Sequence, residues 1–307
     1  MTIWAITSYF NSAGYRQRLK NFRVFRERLA VPLIAVELAY GDRDFELCSD
    51  DADIVVQLRG GDVMWQKERL LNIALASLPD DATAVAWLDC DVVFERPDWP
   101  ERAQALLAER VLVQPFQHSF RLPKGTLPDE FDRTTDRPRN SFACNYQRGV
   151  LTPDVLRAWN FEGDFPNDGY AWVGRRDVLE RHGFYDACVV GGGTRDFAHA
   201  VVGAFDALIE GRPMTTGQAE HFLQWATPVY ESVRARIGYI DGDVFHLWHG
   251  AKKVRRILER HGDLRDLGFD PYTDIALEEG GCWRWNSDKP ALHAFVKAYF
   301  ESRRDDG

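Results

Sequence analysis

The sequence predicts an α/β protein in which helices cover both faces of a mostly parallel sheet. Apolar segments of strand length alternate with longer segments of helical periodicity through the first third of the chain. Polar loops follow the first and the fourth of these apolar segments, and ligands of open α/β sheets bind at the carboxyl ends of the strands. A chain of 307 residues that is 45% hydrophobic can form one large domain or two of average size.

The alternation begins near the N-terminus. The apolar run IWAITSY ends in the polar loop FNSAG, and the next segment places Tyr15, Leu19, Phe22 and Leu29 at helical spacing. A second and a third strand are predicted at VPLIAVELAY and DIVVQLR, a second long helix at VMWQKERLLNIALASL, and a fourth strand at ATAVAWLD. The first half of the chain therefore reads as strand, helix, two strands, helix and strand.

The pattern changes after the fourth strand. Residues 116–149 are polar and rich in proline, so we expect a long loop over the site there. A helix is expected at QAEHFLQWATPVYESVRARI, and a last helix from about Pro290, because proline suits the first turn of a helix.

Composition limits the partners and the compartment. The chain carries 47 acidic and 38 basic side chains, and its net charge of -9 argues against duplex nucleic acid as the main partner. Basic runs in the first helix and in AKKVRR are interpreted as solvated helix surfaces, with a face for nucleic acid or anionic lipid as the alternative. The sequence lacks an apolar stretch of about 18 residues and a signal peptide, and its five cysteines form no CxxC pair. We therefore expect a cytoplasmic protein without a transmembrane segment and with reduced thiols.

Two carboxylates follow the fourth predicted strand. Asp89 and Asp91 in WLDCDVVF would lie on the same side of an extended chain, with Cys90 on the other side. Two carboxylates this close repel each other and resist burial unless a cation joins them. Three other pairs of this spacing, in GDRDF, SDDADI and IDGDV, lie in predicted turns and are interpreted as solvated. The sequence therefore predicts an Mg²⁺ or Mn²⁺ site at Asp89 and Asp91.

Two histidines form a second candidate group. His246 and His249 in VFHLWHG are three residues apart, and on a turned backbone this spacing places both imidazoles on one side. A histidine is more often a satisfied core residue or a surface residue than a metal ligand. Because Mn²⁺ accepts imidazole nitrogen together with carboxylate oxygen, the aspartates favour a metal role for the pair.

The order of these motifs resembles that of glycosyltransferases with the GT-A fold. The opening strand, loop and helix are followed by WQKERLLN, WLDCDVVF, GYAWVGRRDVLERHGFYD with the glycine cluster behind it, and HLWHG. In this order they resemble the galactosyltransferase-like group that is related to the β-1,4-galactosyltransferases. The resemblance implies one continuous GT-A domain on a Rossmann-like sheet. Residues 1–115 would form a nucleotide-sugar-binding half, and residues 116–307 an acceptor-side half that completes the metal site.

The resemblance also implies the ligands. The donor would be a nucleotide-diphosphate sugar, in the first instance a UDP-sugar, and the acceptor a glycan or another hydroxyl compound. Asp91 would bind Mn²⁺ or Mg²⁺ directly, Asp89 would contact the ribose or the metal shell, and His246 and His249 would complete the ion's ligands.

Further donor contacts follow from the same resemblance. The loop after the first strand would hold the base and ribose through Ser8, Phe10 and Asn11. Arg69 in QKERLLN would face the donor near the pyrophosphate, or it is an ordinary charge on a helix surface.

The glycine cluster and Trp172 each have two interpretations. Gly192 and Gly193 would let the backbone approach the donor, or they form only a tight loop. Trp172 would stack on a sugar face, or it is a core residue.

Inverting transfer needs a carboxylate that takes the proton of the acceptor hydroxyl. The related enzymes carry acidic residues directly after their glycine pair, whereas this chain has Thr194 and Arg195 there. Asp196 is therefore the expected base, and Asp168 in FPNDGY is the second candidate. If neither residue serves, the enzyme is retaining or inactive.

Two other functions remain open. A catalytically silent module would bind the nucleotide sugar without transfer, as Thr194 and Arg195 suggest. A sugar-phosphate nucleotidyltransferase would need a GxGxR loop with a downstream lysine after the first strand, and FNSAGYR matches that loop poorly.

Overall fold

The computed structural model describes residues 2–157, 166–251, 255–257 and 259–307. The strands are β1 Thr2–Phe10, β2 Leu33–Ala39, β3 Ile54–Arg59, β4 Ala82–Leu88, β5 Val92–Phe94, β6 Leu112–Gln114, β7 His118–Arg121, β8 Arg139–Asn140, β9 Ala171–Arg175, β10 Ile237–Tyr239, β11 Asp243–His246, β12 Ile275–Leu277 and β13 Trp283–Trp285. The helices are α1 Arg16–Glu27, α2 Lys67–Ala76, α3 Trp99–Leu106, α4 Phe142–Gln147, α5 Pro153–Arg157, α6 Arg176–His182, α7 Gly193–Val202, α8 Phe205–Gly211, α9 Thr216–Val233, α10 Glu259–Asp266, α11 Pro271–Asp274 and α12 Pro290–Glu301.

A seven-stranded sheet forms the centre, in the order β10-β6-β9-β4-β1-β2-β3. Strands β1 to β4 pair in parallel, β10 pairs in parallel with β6, and β9 is antiparallel to both β4 and β6. This arrangement confirms the predicted α/β class with a mostly parallel sheet.

Alternate side chains of the central strands enter two different cores. Ile6 and Val85 belong to the larger core, which also contains apolar side chains of α2, α7 and α9. Ala5 and Ala86 belong to the smaller core, with Phe22 of α1 and further side chains of α1 and α3. The alternation arises because neighbouring residues of a strand point to opposite faces, so helices cover both faces of the sheet.

A second sheet lies beside the first, in the order β5-β11-β7-β8. Its strands β7 and β8, and helix α4, fall within residues 116–149, so the prediction of a long loop there was wrong in part. Strand β7 gains its hydrogen-bonding partner from β11, a strand more than 120 residues later, and Phe120 stacks on Phe245 with ring centroids 5.9 Å apart. Such distant pairing leaves little signal in a polar segment of four residues.

The last helix begins at Pro290, as predicted, and the chain after it folds back against α1. The Asp305 carboxylate is fully buried and accepts hydrogen bonds from Arg18 at 2.7 Å and from Arg303 at 3.4 Å. The Asp306 carboxylate accepts hydrogen bonds from the first backbone amides of α1, at Arg16 and Gln17. The C-terminal residues therefore hold the start of α1 next to the end of β1.

None of the helices in the described parts of the chain combines the length and the apolar character that crossing a lipid bilayer requires.

The buried ion pairs of Asp305 lead to a stability prediction. Asp305→Asn leaves Arg18 and Arg303 without their carboxylate, so the free energy of unfolding should fall by about 3 kcal/mol. Urea denaturation followed by circular dichroism measures this change. The control is Glu301→Gln at an exposed position, which should change stability by about 0.5 kcal/mol at most. Equal stability of the two variants would show that the pairs do not hold the C-terminus.

Candidate functional site

Two adjoining cavities open at the carboxyl ends of β1 and β4. The strand-side cavity has a volume of about 170 Å³ and is bordered by Ser8 and Phe10 of β1. The glycine-side cavity has a volume of about 230 Å³ and is bordered by Gly191, Gly192 and Gly193. Side chains shared by both linings are Trp65, Lys67, Asp89, Tyr170, Arg255 and Arg303. The two cavities therefore form one continuous cleft at the sheet edge where ligands are expected.

Asp91, His246 and His249 meet at the wall of the strand-side cavity. The Nε2 atom of His249 lies 3.2 Å from Asp91 Oδ2 and 3.0 Å from the Nε2 atom of His246. The Nε2 atom of His246 lies 3.7 Å from Asp91 Oδ1. Donor atoms that share one ion at about 2.1 Å are separated by similar distances. We call these three residues the triad.

Strand pairing brings the triad together. Asp91 immediately precedes β5, and β5 pairs with β11, whose last residue is His246. The backbone amide of Leu247 donates to the carbonyl of Asp91 at 2.8 Å, which fixes the loop that carries His249.

Burial sets the protonation of the triad. It lowers the pKa values of His246 and His249 well below the usual histidine range, so both imidazoles are neutral. Burial, followed by the nearby charge of Asp89, raises the pKa of Asp91 to about 7. Asp91 Oδ1 is buried and has no hydrogen-bond partner in the described residues. Two neutral imidazoles and a carboxylate with an unused oxygen suit Mn²⁺ or a similar divalent ion.

Asp89 stands apart from the triad. Strand β4 ends at Leu88 and a turn at Cys90 and Asp91 follows Asp89, so the two aspartates are not on one extended strand. The Asp89 carboxylate is ion-paired with Lys67, and both side chains line the cleft. Cys90 also lines the strand-side cavity, although it was expected to point the other way. The structure thus gives Asp89 an ammonium partner where the sequence predicted a shared metal ion.

Two of the three residues predicted in the loop after the first strand line the cleft, and they lie in the end of β1 itself. Ser8 and Phe10 line the strand-side cavity, whereas Asn11 does not. The Asn11 side-chain amide donates to the Glu46 carboxylate at 2.9 Å and to the backbone carbonyl of Tyr15 at 3.0 Å. Asn11 therefore shapes the loop before α1 and does not face the cleft.

Arg69 does not face the cleft. Its guanidinium is ion-paired with Asp186 at 3.1 Å, away from both cavities. Each residue of a helix is rotated by about 100° from the one before it, so Lys67 and Glu68 face the cleft when Arg69 faces Asp186. The prediction that Arg69 faces the donor was therefore wrong. Lys67, which was not predicted from the sequence, lines the cleft instead.

The glycine cluster forms the N-terminal end of α7. Gly192 has a φ of +109°, a conformation that other residues rarely adopt. A Cβ atom on Gly193 would lie 2.5 Å from the Glu68 carboxylate carbon. The absence of side chains at these positions therefore lets the end of α7 border the glycine-side cavity and pack directly on Glu68.

Asp196 lies behind the cavity wall and not in it. Its side chain is fully buried, is ion-paired with Arg212, and accepts a hydrogen bond from the Cys188 thiol at 3.0 Å. It lines neither cavity, which contradicts the expectation that Asp196 faces an acceptor hydroxyl. Only one residue earlier on α7, Arg195 does line the glycine-side cavity.

Asp168, the second candidate base, lines the glycine-side cavity. Its Oδ2 atom accepts a hydrogen bond from Arg195 Nε at 2.8 Å. Trp172 is a core residue that stacks on Trp87 with a centroid distance of 6.3 Å, so the expectation of sugar stacking is corrected. The indole of Trp172 donates to the backbone carbonyl of Asp168 at 3.0 Å, and it therefore holds the turn that presents the carboxylate.

Two further residues of the cleft were missed from the sequence. Glu68 lines the glycine-side cavity and accepts a hydrogen bond from the Trp65 indole at 2.9 Å, and burial raises its pKa to about 7. Arg255 lies in AKKVRR, of which residues 252–254 are outside the described residues. Its Nη2 atom is 2.9 Å from the Nε2 atom of His249, and burial together with the charge of Arg303 lowers its pKa to about 10.

No family model and no curated protein matches the chain. Among solved structures, the S. aureus protein TarS (residues 1–349) in complex with UDP-GlcNAc is 12% identical, with 99% of this chain and 72% of that chain covered and a TM-score of 0.41. The mannosyltransferase PcManGT from Pyrobaculum calidifontis, in complex with GDP-Man and Mn²⁺, is 15% identical over 97% and 69%, with a TM-score of 0.40. The 4-diphosphocytidyl-2C-methyl-D-erythritol synthase from Anaerococcus prevotii is 9% identical over 98% and 96%, with a TM-score of 0.36. At these values the likenesses neither place the chain in a family nor assign it an activity.

The triad leads to a metal-binding prediction. His249→Ala removes one of three converging donors, so the affinity for Mn²⁺ should fall about tenfold or more in the nucleotide-free protein. Titration calorimetry with MnCl₂ measures this affinity. His182→Ala is the control, because His182 bonds to Ser232 outside both cavities. If both variants bind Mn²⁺ as the wild type does, the ion does not use the triad.

The buried carboxyl of Glu68 leads to a pH prediction. Its pKa is raised from 4.5 to about 7 in the folded protein, so its ionisation destabilises the fold progressively as the pH rises between these values. The free energy of unfolding of Glu68→Gln, relative to that of the wild type, should therefore rise by about 3 kcal/mol as the pH increases over that range. Above that range the difference should stay constant.

Urea denaturation at pH 5, 6, 7 and 8 measures the difference, with Glu109→Gln at an exposed position outside the cleft as the control. A difference between Glu68→Gln and wild type that is the same at every pH would contradict the buried ionisation.

Proposed function

We propose that this protein is a metal-dependent glycosyltransferase of the GT-A type. It moves a sugar from a nucleotide-diphosphate donor, in the first instance a UDP-sugar, to an acceptor hydroxyl with inversion. The observation that carries the proposal is the triad of Asp91, His246 and His249 at the carboxyl ends of the strands, on the wall of a cleft with two compartments. The motif order discussed above favours the galactosyltransferase-like group within this fold.

The strand-side cavity is the proposed nucleoside compartment. Ser8 and Phe10 come from the end of β1, where nucleotides bind in open α/β sheets. The diphosphate would lie between the triad and the basic side chains of Lys67 and Arg255, which line the same compartment. A divalent ion and Arg255 repel each other unless an anion lies between them, and a diphosphate supplies that anion.

The triad would hold a metal ion, and Lys67 and Arg255 would lie beside the leaving group. An ion held by the triad would supply Lewis-acid stabilisation of the charge that develops on the nucleoside diphosphate. Lys67 and Arg255 donate hydrogen bonds to the phosphate oxygens from fixed positions, which stabilises the same charge without reorganisation of water.

The glycine-side cavity is the proposed compartment for the transferred sugar and the acceptor. Asp168 accepts the proton of the acceptor hydroxyl, whose oxygen then bonds to the anomeric carbon. The bond from that carbon to the diphosphate breaks, and the nucleoside diphosphate leaves with the electron pair. Arg195 holds Oδ2 of Asp168, and Trp172 holds its backbone carbonyl.

Glu68 is the alternative base. It lines the same cavity as Asp168, and a carboxyl with a pKa of about 7 is suited to proton transfer at neutral pH. Its hydrogen bond from the Trp65 indole fixes one carboxylate oxygen. Separate substitution of Asp168 and Glu68 distinguishes the two.

The test of this function is release of nucleoside diphosphate from UDP-, GDP-, TDP- and CDP-sugars with Mn²⁺ or Mg²⁺. Release from one donor should require the metal and be abolished in Asp91→Ala. Asp168→Asn should lower turnover about 10²-fold or more while donor binding persists, because only proton transfer is lost. Asp177→Asn, at an exposed position outside the cleft, is the matched control.

Other outcomes identify the remaining candidates. Binding of nucleotide and metal without release, even with acceptor mixtures, would identify a silent module. Release of pyrophosphate from UTP and a sugar phosphate would identify a sugar-phosphate nucleotidyltransferase. A loss of turnover in Glu68→Gln but not in Asp168→Asn would move the base to Glu68.

A further inference from the structure

Guanidinium groups crowd the glycine-side cavity. Its basic side chains are Lys67, Arg121, Arg139, Arg195, Arg255, Arg260 and Arg303, and its carboxylates are Glu68, Asp89 and Asp168. The chain as a whole has a net charge of -9, so this excess of positive charge is local to the cavity. Such a local excess attracts anionic ligands.

Several of these cations already have a place in the proposed chemistry. Lys67 is paired with Asp89, Arg195 with Asp168, and Arg303 with Asp305 outside the cavity. Arg255 lies against His249 of the triad, where the donor diphosphate would bind. These contacts leave Arg121, Arg139 and Arg260 for another role.

Arg121 and Arg139 are neighbours on one face of the second sheet. Strand β7 pairs with β8 so that Ser119 lies opposite Arg139, and Arg121 is two residues further along β7 on the same face as Ser119. Strand β11 places His246 opposite Arg121. The face of this sheet therefore presents His246, Arg121 and Arg139 in sequence across the cleft.

Neither arginine forms an ion pair with a carboxylate in the parts of the chain that the structure describes. Arg121 Nε donates to the Tyr170 hydroxyl at 3.2 Å, and the Tyr170 ring stacks on His246 with centroids 4.6 Å apart. Burial and the charge of Arg121 lower the pKa of Arg139. The two guanidiniums are close enough for the charge of Arg121 to act on Arg139, and an anion between them would relieve this repulsion.

The pair lies outside the diphosphate compartment. Arg121 and Arg139 line the glycine-side cavity with Asp168, but they do not line the strand-side cavity. An anion bound between them would therefore be close to the proposed base and separate from the donor phosphates.

We propose that Arg121 and Arg139 form a subsite for a second anionic group, a phosphate or a carboxylate, carried by the acceptor or by the transferred sugar. The two guanidiniums present planar arrays of N–H donors, which match the paired oxygens of either group. The location of this subsite relative to the donor rests on the proposed function. The substrates would then be charged sugars and not plain neutral ones.

The first experiment uses inorganic phosphate as the probe, by titration calorimetry of the protein saturated with UDP and Mn²⁺. Phosphate should bind, and Arg121→Gln and Arg139→Gln should each weaken this binding about tenfold. Arg148→Gln, an exposed position that lines neither cavity, should leave it unchanged. UDP affinity in the same samples reports that the variants are folded. Unchanged phosphate affinity in both cavity variants would overturn the proposal.

The second experiment finds which substrate carries the anion. Glucose 6-phosphate and glucuronate should bind to the saturated protein about tenfold more tightly than glucose if the acceptor is the charged partner. If the donor sugar is charged, Arg139→Gln should instead slow release of UDP from UDP-glucuronate more than from UDP-glucose. No preference for a charged sugar in either comparison would overturn the assignment.

The anion subsite can also be tested if the proposed function is wrong. If the protein does not bind UDP, the phosphate titration is made on the nucleotide-free protein with Asp91→Ala in parallel. Phosphate binding that is weakened by Arg139→Gln and not by Asp91→Ala would support the subsite alone. Binding that depends on neither residue would exclude it.

Discussion

Pairing between the short strands β5 and β11 is the contact on which the site depends. Asp91 and the two histidines are more than 150 residues apart in sequence, and this pairing, with the hydrogen bond from Leu247 to Asp91, puts their side chains within 3.7 Å of one another. Because both strands belong to the second sheet, that sheet serves mainly to carry one wall of the cleft. Its other strands, β7 and β8, present Arg121 and Arg139 on the same wall.

Two ion pairs place Asp168 and Asp196 in different environments. Asp196 and Arg195 are adjacent on α7, yet Asp196 pairs with Arg212 in the interior and Arg195 pairs with Asp168 in the cavity. Burying Asp196 is tolerable because a full charge partner and the Cys188 thiol are next to it. The rotation from one residue to the next along α7 therefore puts the Asp196 carboxylate in the interior, and it puts Arg195, paired with Asp168, in the glycine-side cavity.

Sequence patterns predicted the main elements well, because the strands and helices of the central sheet carry strong hydrophobic periodicity. Residue types favoured a metal role for Asp91, His246 and His249 separately, and the resemblance to GT-A glycosyltransferases joined them, with Asp89, in one predicted site. Which side chains of a helix face the cleft was predicted less well. Successive residues of a helix differ in direction by about 100°, so an error of one residue in the position of α2 changes the side chains that line the cleft. The resemblance implied that Arg69 of this helix faces the donor, and the sequence does not show that the cleft is lined by Lys67 instead. The strands within residues 116–149 depend on partners far away in sequence, which a local pattern cannot reveal.

Charge balance connects the two compartments of the cleft. In the strand-side cavity, the charge of a divalent ion would add to that of Arg255, and Asp91 offsets only part of the sum. Under the proposed function, a nucleoside diphosphate would supply negative charge there and offset this excess. The diphosphate would not compensate Arg121 and Arg139 in the same way, because they do not border the strand-side cavity. A neutral acceptor would leave the half-buried Arg139 and the exposed Arg121 without an ion-pair partner among the described residues, whereas an anionic substrate would balance their charge. If Asp168 is the base, its ion pair with Arg195 would fix the carboxylate in a cavity that also contains Arg121 and Arg139.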